Sequence, residues 1–181
     1  MLRKALHFAE TTRHPARNRA MILLSCKAGL RAGEIAGLTW DMVLNANGRV
    51  GDHMNVEDRI SKRGQGRRIP MSKILRQAIL KLKQDAPYEE HGPIIQSERG
   101  EHLTPGSVVN WFRETYVAID LEGCSSHSGR RTFITNAARA VAKVGGSLRD
   151  VQELAGHASL GMTERYIEGD RHAQRRIIDL I

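Results

Sequence analysis

Hydrophobic and polar positions follow the helical period over most of this chain, with the first strong example near its start. Residues 16–30, ARNRAMILLSCKAGL, have the apolar spacing of a buried helix that ends at Gly29. The next stretch, AGEIAGLTWDMV, predicts a short helix with Ile35, Leu38 and Trp40 in the core. The beginning of the domain is therefore expected to be helical and largely buried.

A strand period replaces the helical one between Arg49 and Met71. Met54, Val56 and Ile60 alternate with polar residues, RGQG supplies two glycines for a turn, and RRIPM predicts a second strand. We therefore expect a basic β-hairpin over this segment.

Helical patterns dominate the rest of the chain. Residues 72–85 predict an amphipathic helix, and residues 104–119 predict another. A further helix is expected to begin near Ser126, where serine hydroxyls can cap it, and one more is capped by Ser147 after a Gly-Gly break. One or two short helices end the chain, and a short strand is expected at Ile94–Ile95. The predicted fold class is mainly α with a small antiparallel β-sheet, an α+β protein.

Length and charge indicate the kind of molecule and the kind of partner. The 181 residues suit one domain with a core of its own. Apolar residues make up 40% and charged residues 27%, as in ordinary globular proteins, so disorder is not expected. A formal net charge of +8 favours a polyanion such as nucleic acid as partner, with plain solubility as the alternative explanation.

Other features of the sequence bear on its compartment. No apolar stretch approaches the roughly 18 residues that a membrane span needs, and the charged N-terminus lacks the apolar region of a signal peptide. Cys26 and Cys124 are isolated, so neither a disulfide framework nor a zinc site of paired cysteines is indicated. We expect a cytoplasmic protein without a membrane partner.

The segment CSSHSGRRTF places His127, Arg130 and Arg131 at the start of a predicted helix. The helix dipole disfavours each cation there by about 0.3–1 kcal/mol. A bound phosphate, by contrast, would be favoured by the helix N-terminus and by a guanidinium fork. His127 and Arg130 are three residues apart and share a helix face. The segment indicates either an anion site or a solvated basic turn in which Arg131 pairs with a carboxylate.

Arg31 lies in the otherwise apolar sequence KAGLRAGEIAGL. Burying a lone cation is costly, so this arginine must be paired or must face a ligand. Glu34, three residues on, is the expected structural partner, and the pair would leave a fixed arginine that still presents donors outwards. Structural and functional interpretations are both compatible with the sequence here.

The predicted hairpin is strongly basic, with Lys62, Arg63, Arg67 and Arg68 around its turn. A solvated basic hairpin is the ordinary interpretation of such a cluster. A hairpin of this shape is also suited to reaching into a DNA groove.

His157 and Tyr166 lie nine residues apart in LAGHASLGMTERYIEGD. Such residues near helix ends usually have structural roles. The eight histidines show no metal-binding spacing, and GQG is too short for a nucleotide-binding loop. Neither a metal nor a nucleotide cofactor is therefore expected.

Taken in order along the chain, these residues resemble the catalytic domain of the tyrosine recombinases, the phage integrase family. The resemblance runs from about residue 18 to residue 166. It rests on the arginine of GLRAGEIAGL, the lysine of KRGQGRRIP, a His-x-x-Arg pair, and AGH with a tyrosine nine residues after its histidine. It implies six catalytic residues: Arg31, Lys62, His127, Arg130, His157 and Tyr166.

The resemblance also implies a mechanism. Tyr166 would attack the scissile phosphodiester, form a 3′-phosphotyrosine link and release a 5′-hydroxyl. A free phenol is a poor nucleophile at neutral pH, so its proton needs an acceptor, for which the family picture implies His127. Lys62 would protonate the leaving 5′-oxygen as general acid.

Charge stabilisation in the family is supplied by the protein itself. Arg31 and Arg130 would hold the non-bridging oxygens, and His157 would add a hydrogen bond to the same phosphate. No metal is then needed, and no ATP either, because the covalent link conserves the energy of the broken bond. Basic residues expected to contact DNA are Arg63, Arg67, Arg68 and Arg131.

The resemblance further implies a domain organisation and partners. We expect a single catalytic domain over residues 1–181, with residues 1–16 as a lead-in and without an N-terminal core-binding domain. The C-terminal helical tail, residues 167–181, would either dock on a neighbouring protomer or fold back on its own core. Double-stranded DNA is the expected partner, on which the protein would form a homo-oligomer, a tetramer, being weakly associated or monomeric without it.

Two other functions share either the fold or the active-site chemistry of the tyrosine recombinases. A catalytically inactive DNA-binding regulator with the same fold would have no need of Tyr166, so the complete set of six polar residues disfavours it. A type IB topoisomerase shares the active-site chemistry, but GLRAGEIAGL and AGHASLGMTERY resemble integrases more closely.

Overall fold

Helices account for most of the fold, and a two-stranded sheet completes it. The structure, a computed structural model, describes residues 1–62, 64–85, 91–99, 101–167 and 178–179. The strands are β1, His53–Val56, and β2, Arg67–Pro70. The helices are α1 Leu2–Glu10, α2 Pro15–Ala28, α3 Ala32–Gly37, α4 Lys73–Asp85, α5 Pro105–Ala118, α6 Ser128–Val141, α7 Leu148–Ala155 and α8 Leu160–Glu164. Single turns of 3-10 helix occur at Trp40–Met42 and Ala142–Val144. The predicted fold class is confirmed.

Helix α2 is the centre of the core. It contacts α1, α4 and α6, so it is buried on several sides. Met21, Leu23 and Leu24 are completely inaccessible to solvent, as expected of a helix whose apolar positions are not confined to one stripe. The helix ends at Gly29, as predicted, in the left-handed conformation that glycine adopts without strain. The chain then turns directly into α3.

The hairpin is antiparallel, with Met54 opposite Ile69 and Val56 opposite Arg67. Met54, Val56 and Ile69 are buried, which gives this short sheet one apolar face against the core. The hairpin was predicted from the alternation of Met54, Val56 and Ile60, but β1 ends at Val56 and Ile60 lies in a turn after it. Arg63, which was expected from the sequence to contact DNA, lies outside the described residues.

In its described ranges the structure has one helix that was not predicted and lacks one strand that was. The charged lead-in over residues 1–16 contains α1, whose Ala5 and Ala9 are buried against the core. Ile94 and Ile95 are buried as well, but among the described residues the chain there makes only isolated bridges, Thr39 with Pro93 and Gln96 with His102, rather than a strand.

The C-terminal third carries helices in the expected order. Ser147 caps α7, accepting the backbone N–H of Arg149, and Asp150 completes a capping box. Gly156 ends α7 in the left-handed conformation. Of the tail over residues 167–181, only 167 and 178–179 are described, so its docking stays a prediction. None of the helices in the described ranges is long and apolar enough to cross a membrane.

Candidate active site

Arg130 occupies the first turn of α6, yet its side chain is buried, with 4% of the residue exposed. Its Nη1 donates to the carbonyl oxygen of Gly29, which caps the C-terminus of α2. Its Nη2 donates to the carbonyl oxygen of Ala155, the last residue of α7, at 2.7 Å. Helix C-termini carry partial negative charge and carbonyls without intrahelical partners. Two of them therefore hold the cation that the α6 dipole disfavours.

No carboxylate among the described residues lies within ion-pair distance of Arg130. Burial, and then the positive charge of Arg31, lower the pKa of Arg130 to about 10. It therefore stays cationic at neutral pH. A cation that is fixed only by carbonyl groups keeps its net charge available to an external anion.

The close approach of α6 to α2 depends on Gly129. A Cβ atom at this position would lie 2.9 Å from Cys26 Sγ and even closer to the hydroxyl of Ser25. The helices can thus approach closely enough for Arg130 to reach Gly29 O. The expected serine cap is not formed as predicted: the N-cap residue is His127, without a side-chain cap, and its own N–H is donated to Ser125 Oγ at 3.3 Å.

Glu34 binds two arginines at once. Its side chain is 1% exposed. Arg31 donates its backbone N–H to Oε2 at 2.8 Å and its Nη1 to Oε1 at 3.0 Å, so the predicted pair of these residues is present. Burial alone would raise the pKa of Glu34, but hydrogen bonds and charge from Arg67 and Arg31 outweigh it, and the pKa is lowered overall. The group is a carboxylate at neutral pH.

Arg67 was predicted to contact DNA, and the structure places it elsewhere. Its side chain is only 6% exposed. Nη1 and Nη2 donate to the two oxygens of Glu34 at 2.9 and 3.0 Å, and Nε donates to Leu154 O at 2.9 Å. A guanidinium occupied in this way cannot face a groove. By contrast, Arg68 is exposed and has Nη2 3.4 Å from His53 Nδ1.

His157 follows the end of α7 and is buried, with 6% of the residue exposed. Its Nδ1 is 3.0 Å from Thr163 Oγ1, and Gln152 Nε2 donates to its carbonyl oxygen at 3.0 Å. Burial, then the positive charges of three arginines with Arg130 foremost, lower the pKa of His157 to about 4. The imidazole is therefore neutral at pH 7, with one donor and one acceptor nitrogen.

Tyr166 stacks on His157, with ring centroids 5.7 Å apart and ring planes 22° apart. Thr135 Oγ1, on α6, donates to Tyr166 O at 3.5 Å. This stacking joins the segment after α8 to the end of α7. Tyr166 also lines the same cleft as Arg130.

One cleft brings the segment CSSHSGRRTF together with Tyr166. Its volume is about 250 Å³. It is lined by Gly123, Ser125, His127, Ser128, Arg130, Arg131 and Tyr166.

The remaining predicted catalytic residues lie outside this lining. Arg31 has Nη2 3.4 Å from the carbonyl oxygen of Gly156, the residue before His157. Lys62 is exposed in the hairpin turn and does not line the cleft. The predicted residues thus form a cluster around the α6 N-terminus, with Lys62 apart from it.

Several contributors were not predicted from the sequence. The carbonyl oxygens of Gly29, Ala155 and Gly156 hold the arginines, and a main-chain acceptor has no signature in a side-chain pattern. Thr163 is fully buried beside His157. The only sign of this contact in the sequence is that Thr163 lies between His157 and Tyr166. Among the described residues, no group of three or more His, Cys, Asp or Glu side chains is arranged to hold a metal ion.

Comparisons with known proteins identify the family and the fold of this chain. The model of the phage integrase family matches residues 1–172. Tyrosine recombinase XerC of Rhizobium meliloti (strain 1021) is 31% identical over 167 residues, which cover 91% of this chain and 49% of that protein. The chain thus spans about half the length of the curated relatives that it matches.

Solved structures share the fold. The XerA recombinase superposes with a TM-score of 0.72 at 20% identity, covering 99% of this chain and 62% of that one. The XerH site-specific recombinase bound to its difH substrate gives a TM-score of 0.73 at 20% identity, covering 98% and 51%. The sequence resemblance is therefore confirmed: the chain belongs to the phage integrase family and has the catalytic-domain fold of the tyrosine recombinases.

Proposed function

We propose that this chain is the catalytic part of a site-specific DNA recombinase that cleaves and rejoins strands through a covalent 3′-phosphotyrosine intermediate. The observation that carries the proposal is the cleft that Tyr166 shares with His127 and with Arg130, a buried cation bound to carbonyls. A phosphodiester is an anion that would complete such a site. The XerH relative, whose structure contains its difH substrate, supports DNA as the partner.

The first chemical step would form one bond and break one. Tyr166 Oη attacks the phosphorus as its proton passes to His127, which lines the same cleft. The P–O5′ bond breaks, and the leaving oxygen takes a proton from Lys62, which requires the hairpin turn to approach the bound DNA. The reverse sequence, with a 5′-hydroxyl as the attacking group, rejoins the strand.

The transition-state charge would be stabilised by Arg130 and Arg31 at the non-bridging oxygens. His157 would donate a hydrogen bond from a neutral ring, because its pKa is lowered to about 4. Since two guanidinium groups supply the positive charge and the phosphotyrosine retains the bond energy, the reaction would need neither a metal nor ATP.

DNA binding would draw on the exposed basic residues around the cleft. Arg131 lines the cleft and Arg68 is exposed on the hairpin, so both are placed to contact phosphates. Arg63 is proposed for the same role on sequence grounds alone. The active form would be a homo-oligomer, a tetramer, on double-stranded DNA. The protein would be cytoplasmic.

The test is covalent trapping. The protein is incubated with nicked duplexes from the DNA flanking its gene, and a DNA–protein adduct is sought on a denaturing gel. Tyr166→Phe should abolish the adduct. Tyr116→Phe is the matched control, because Tyr116 is a buried α5 residue stacked on Phe112, and it should leave the adduct intact. An adduct that survives Tyr166→Phe, or DNA binding by the wild-type protein with no adduct, would refute the proposal.

A further inference from the structure

Two adjacent arginines of β2 have opposite environments, and the inner one is part of the catalytic cluster's framework. Successive side chains of a strand point to opposite faces. Arg67 therefore shares a face with buried Ile69, whereas Arg68 shares the exposed face with Pro70. Because Arg67 is on the inner face, it meets Glu34 and Leu154 rather than solvent.

The contacts of Arg67 occupy both carboxylate oxygens of Glu34. Its Nη1 and Nη2 make the bidentate arrangement in which a guanidinium binds a carboxylate best. The side chain of Arg31 reaches the same carboxylate through Nη1 alone, at 3.0 Å from Oε1, while its backbone N–H donates to Oε2 and its Nη2 lies 3.4 Å from Gly156 O. A fifth of the Arg31 side chain stays exposed, at 20%.

Arg67 also lies against the end of α7. Its Nε donates to Leu154 O. The guanidinium also lies so close to Gly156 that a Cβ atom at this position would be 2.9 Å from Arg67 Nη1. The same short segment supplies Ala155 O to Arg130 and Gly156 O to Arg31. Arg67 thus contacts both elements, α3 and the end of α7, that orient the phosphate-binding arginines.

We propose that Arg67 is a positioning residue for Arg31. By holding both oxygens of Glu34, it prevents Arg31 from closing onto the carboxylate as a bidentate pair, and so keeps the exposed part of Arg31 available to the scissile phosphate. Loss of Arg67 releases Glu34 to bind Arg31 in full. Because Arg67 is in β2, the same contacts dock the hairpin whose turn bears Lys62. This inference rests on the proposed recombinase function.

The kinetic test uses single-turnover formation of the covalent adduct. Arg67→Gln should slow it by up to about 100-fold, because a misplacement of about 1 Å in a catalytic group can cost that much. Arg67→Lys, which restores the charge but can bind only one oxygen at a time, should recover part of the rate. Arg76→Gln is the matched control: Arg76 ties down Val50 O and Gly51 O outside the cluster, and its loss should leave the rate unchanged.

A second substrate separates positioning from simple destabilisation. In a duplex with a methylphosphonate at the scissile position, one non-bridging oxygen is replaced by a neutral methyl group, so less charge has to be stabilised. The Arg67→Gln defect should then shrink. An equal loss on both substrates, or a wild-type rate in Arg67→Gln, would overturn the inference.

A structural measurement makes the inference independent of the reaction. In a crystal structure of Arg67→Gln, or of Arg67→Lys if the glutamine variant does not fold, Arg31 should bind Glu34 through two nitrogens. An unchanged single Nη1 contact would reject the positioning role. A wild-type protein that forms no adduct would refute the proposed function, while this measurement would still decide the conformation of Arg31.

Discussion

Replacing Glu34 by glutamine tests the electrostatics of the cluster most directly. The change removes one negative charge and keeps the shape of the side chain. Glu34 is 1% exposed and accepts from the backbone and side chain of Arg31 and from both terminal nitrogens of Arg67. In the glutamine variant one of its oxygens becomes an NH₂ group, which faces guanidinium donors instead of accepting from them.

The expected destabilisation follows from burial rather than from distance. Removing one partner of a buried ion pair costs about 3–5 kcal/mol, because the other charge stays buried without compensation. Arg67, with a side chain 6% exposed, is in that position. Since a domain is stable by only about 5–15 kcal/mol, Glu34→Gln should lower the free energy of unfolding by a large fraction.

A surface pair provides the control. Glu57 accepts from Arg59 Nε at 2.6 Å, a shorter distance than any in the Glu34 cluster, but the two side chains are 42% and 53% exposed. Glu57→Gln should cost less than about 1 kcal/mol, because water already screens that pair.

The effect of Glu34→Gln should also depend on pH. The pKa of Glu34 is lowered in the folded state, so its contribution to stability is complete above the unfolded value of about 4.3 and is lost as pH falls through the folded pKa. In urea unfolding followed by circular dichroism, the free energies of unfolding of wild type and variant should differ by a constant amount near neutral pH. This difference should become smaller in acid. A cost below about 1 kcal/mol at pH 7, or a difference that does not narrow in acid, refutes the assignment of Glu34 as the buried counterion.

Three further outcomes are expected from other parts of the site. Gly156→Ala should lower the free energy of unfolding in urea by about 1–3 kcal/mol, because φ is +59° and the new Cβ would meet Arg67. This loss should be larger than that of Gly145→Ala, where φ is +72° but no atom lies within 4 Å of the new Cβ. NMR titration of His157 should give a midpoint near pH 4, below the unfolded pKa of about 6.5. Protonation therefore favours the unfolded state, and the free energy of unfolding should decrease as pH falls from about 6.5 to 4. A midpoint near 6.5 would contradict the burial of His157 beside the arginines. Ser25→Ala should stabilise the protein by about 1 kcal/mol in thermal unfolding, because its buried hydroxyl has no hydrogen-bond partner among the described residues; a loss of stability contradicts this.

The fold was largely predictable because its strongest patterns are local. The alternation of Met54 and Val56, and the stop at Gly29, are decided by sequence neighbours and appear in the structure as expected. Helix α1 was missed because its fully buried positions are the small residues Ala5 and Ala9, which give a weak apolar signal in a charged segment. The chain at Ile94–Ile95 is buried by tertiary contacts, which no local pattern reports.

The site was predictable as a set of side chains but not as an arrangement. The Arg31–Glu34 pair follows from a three-residue spacing within one turn. The assignment of Arg67 to DNA was wrong because it considered only the charge of the residue and not the two-residue period of a strand. Ile69 is buried, so this period places Arg67 on the inner face and Arg68 on the outer face. That signal was present in the sequence. The docking of this face on α3 and α7 was not, since it depends on elements far apart in the chain.

The placement of arginines at the start of α6 has a physical explanation in the whole cluster. Arg31 and Arg67 share one carboxylate, Glu34, and Arg130 pairs with no carboxylate among the described residues, so their neighbourhood carries excess positive charge. Two helix C-termini offset part of this excess at Arg130 through Gly29 O and Ala155 O without adding a counterion. Burial, together with this excess charge, lowers the pKa of His157 and keeps its ring neutral. A site built in this way holds its cations in place without neutralising them, and an anion entering the cleft would therefore stabilise the folded cluster as well as bind to it.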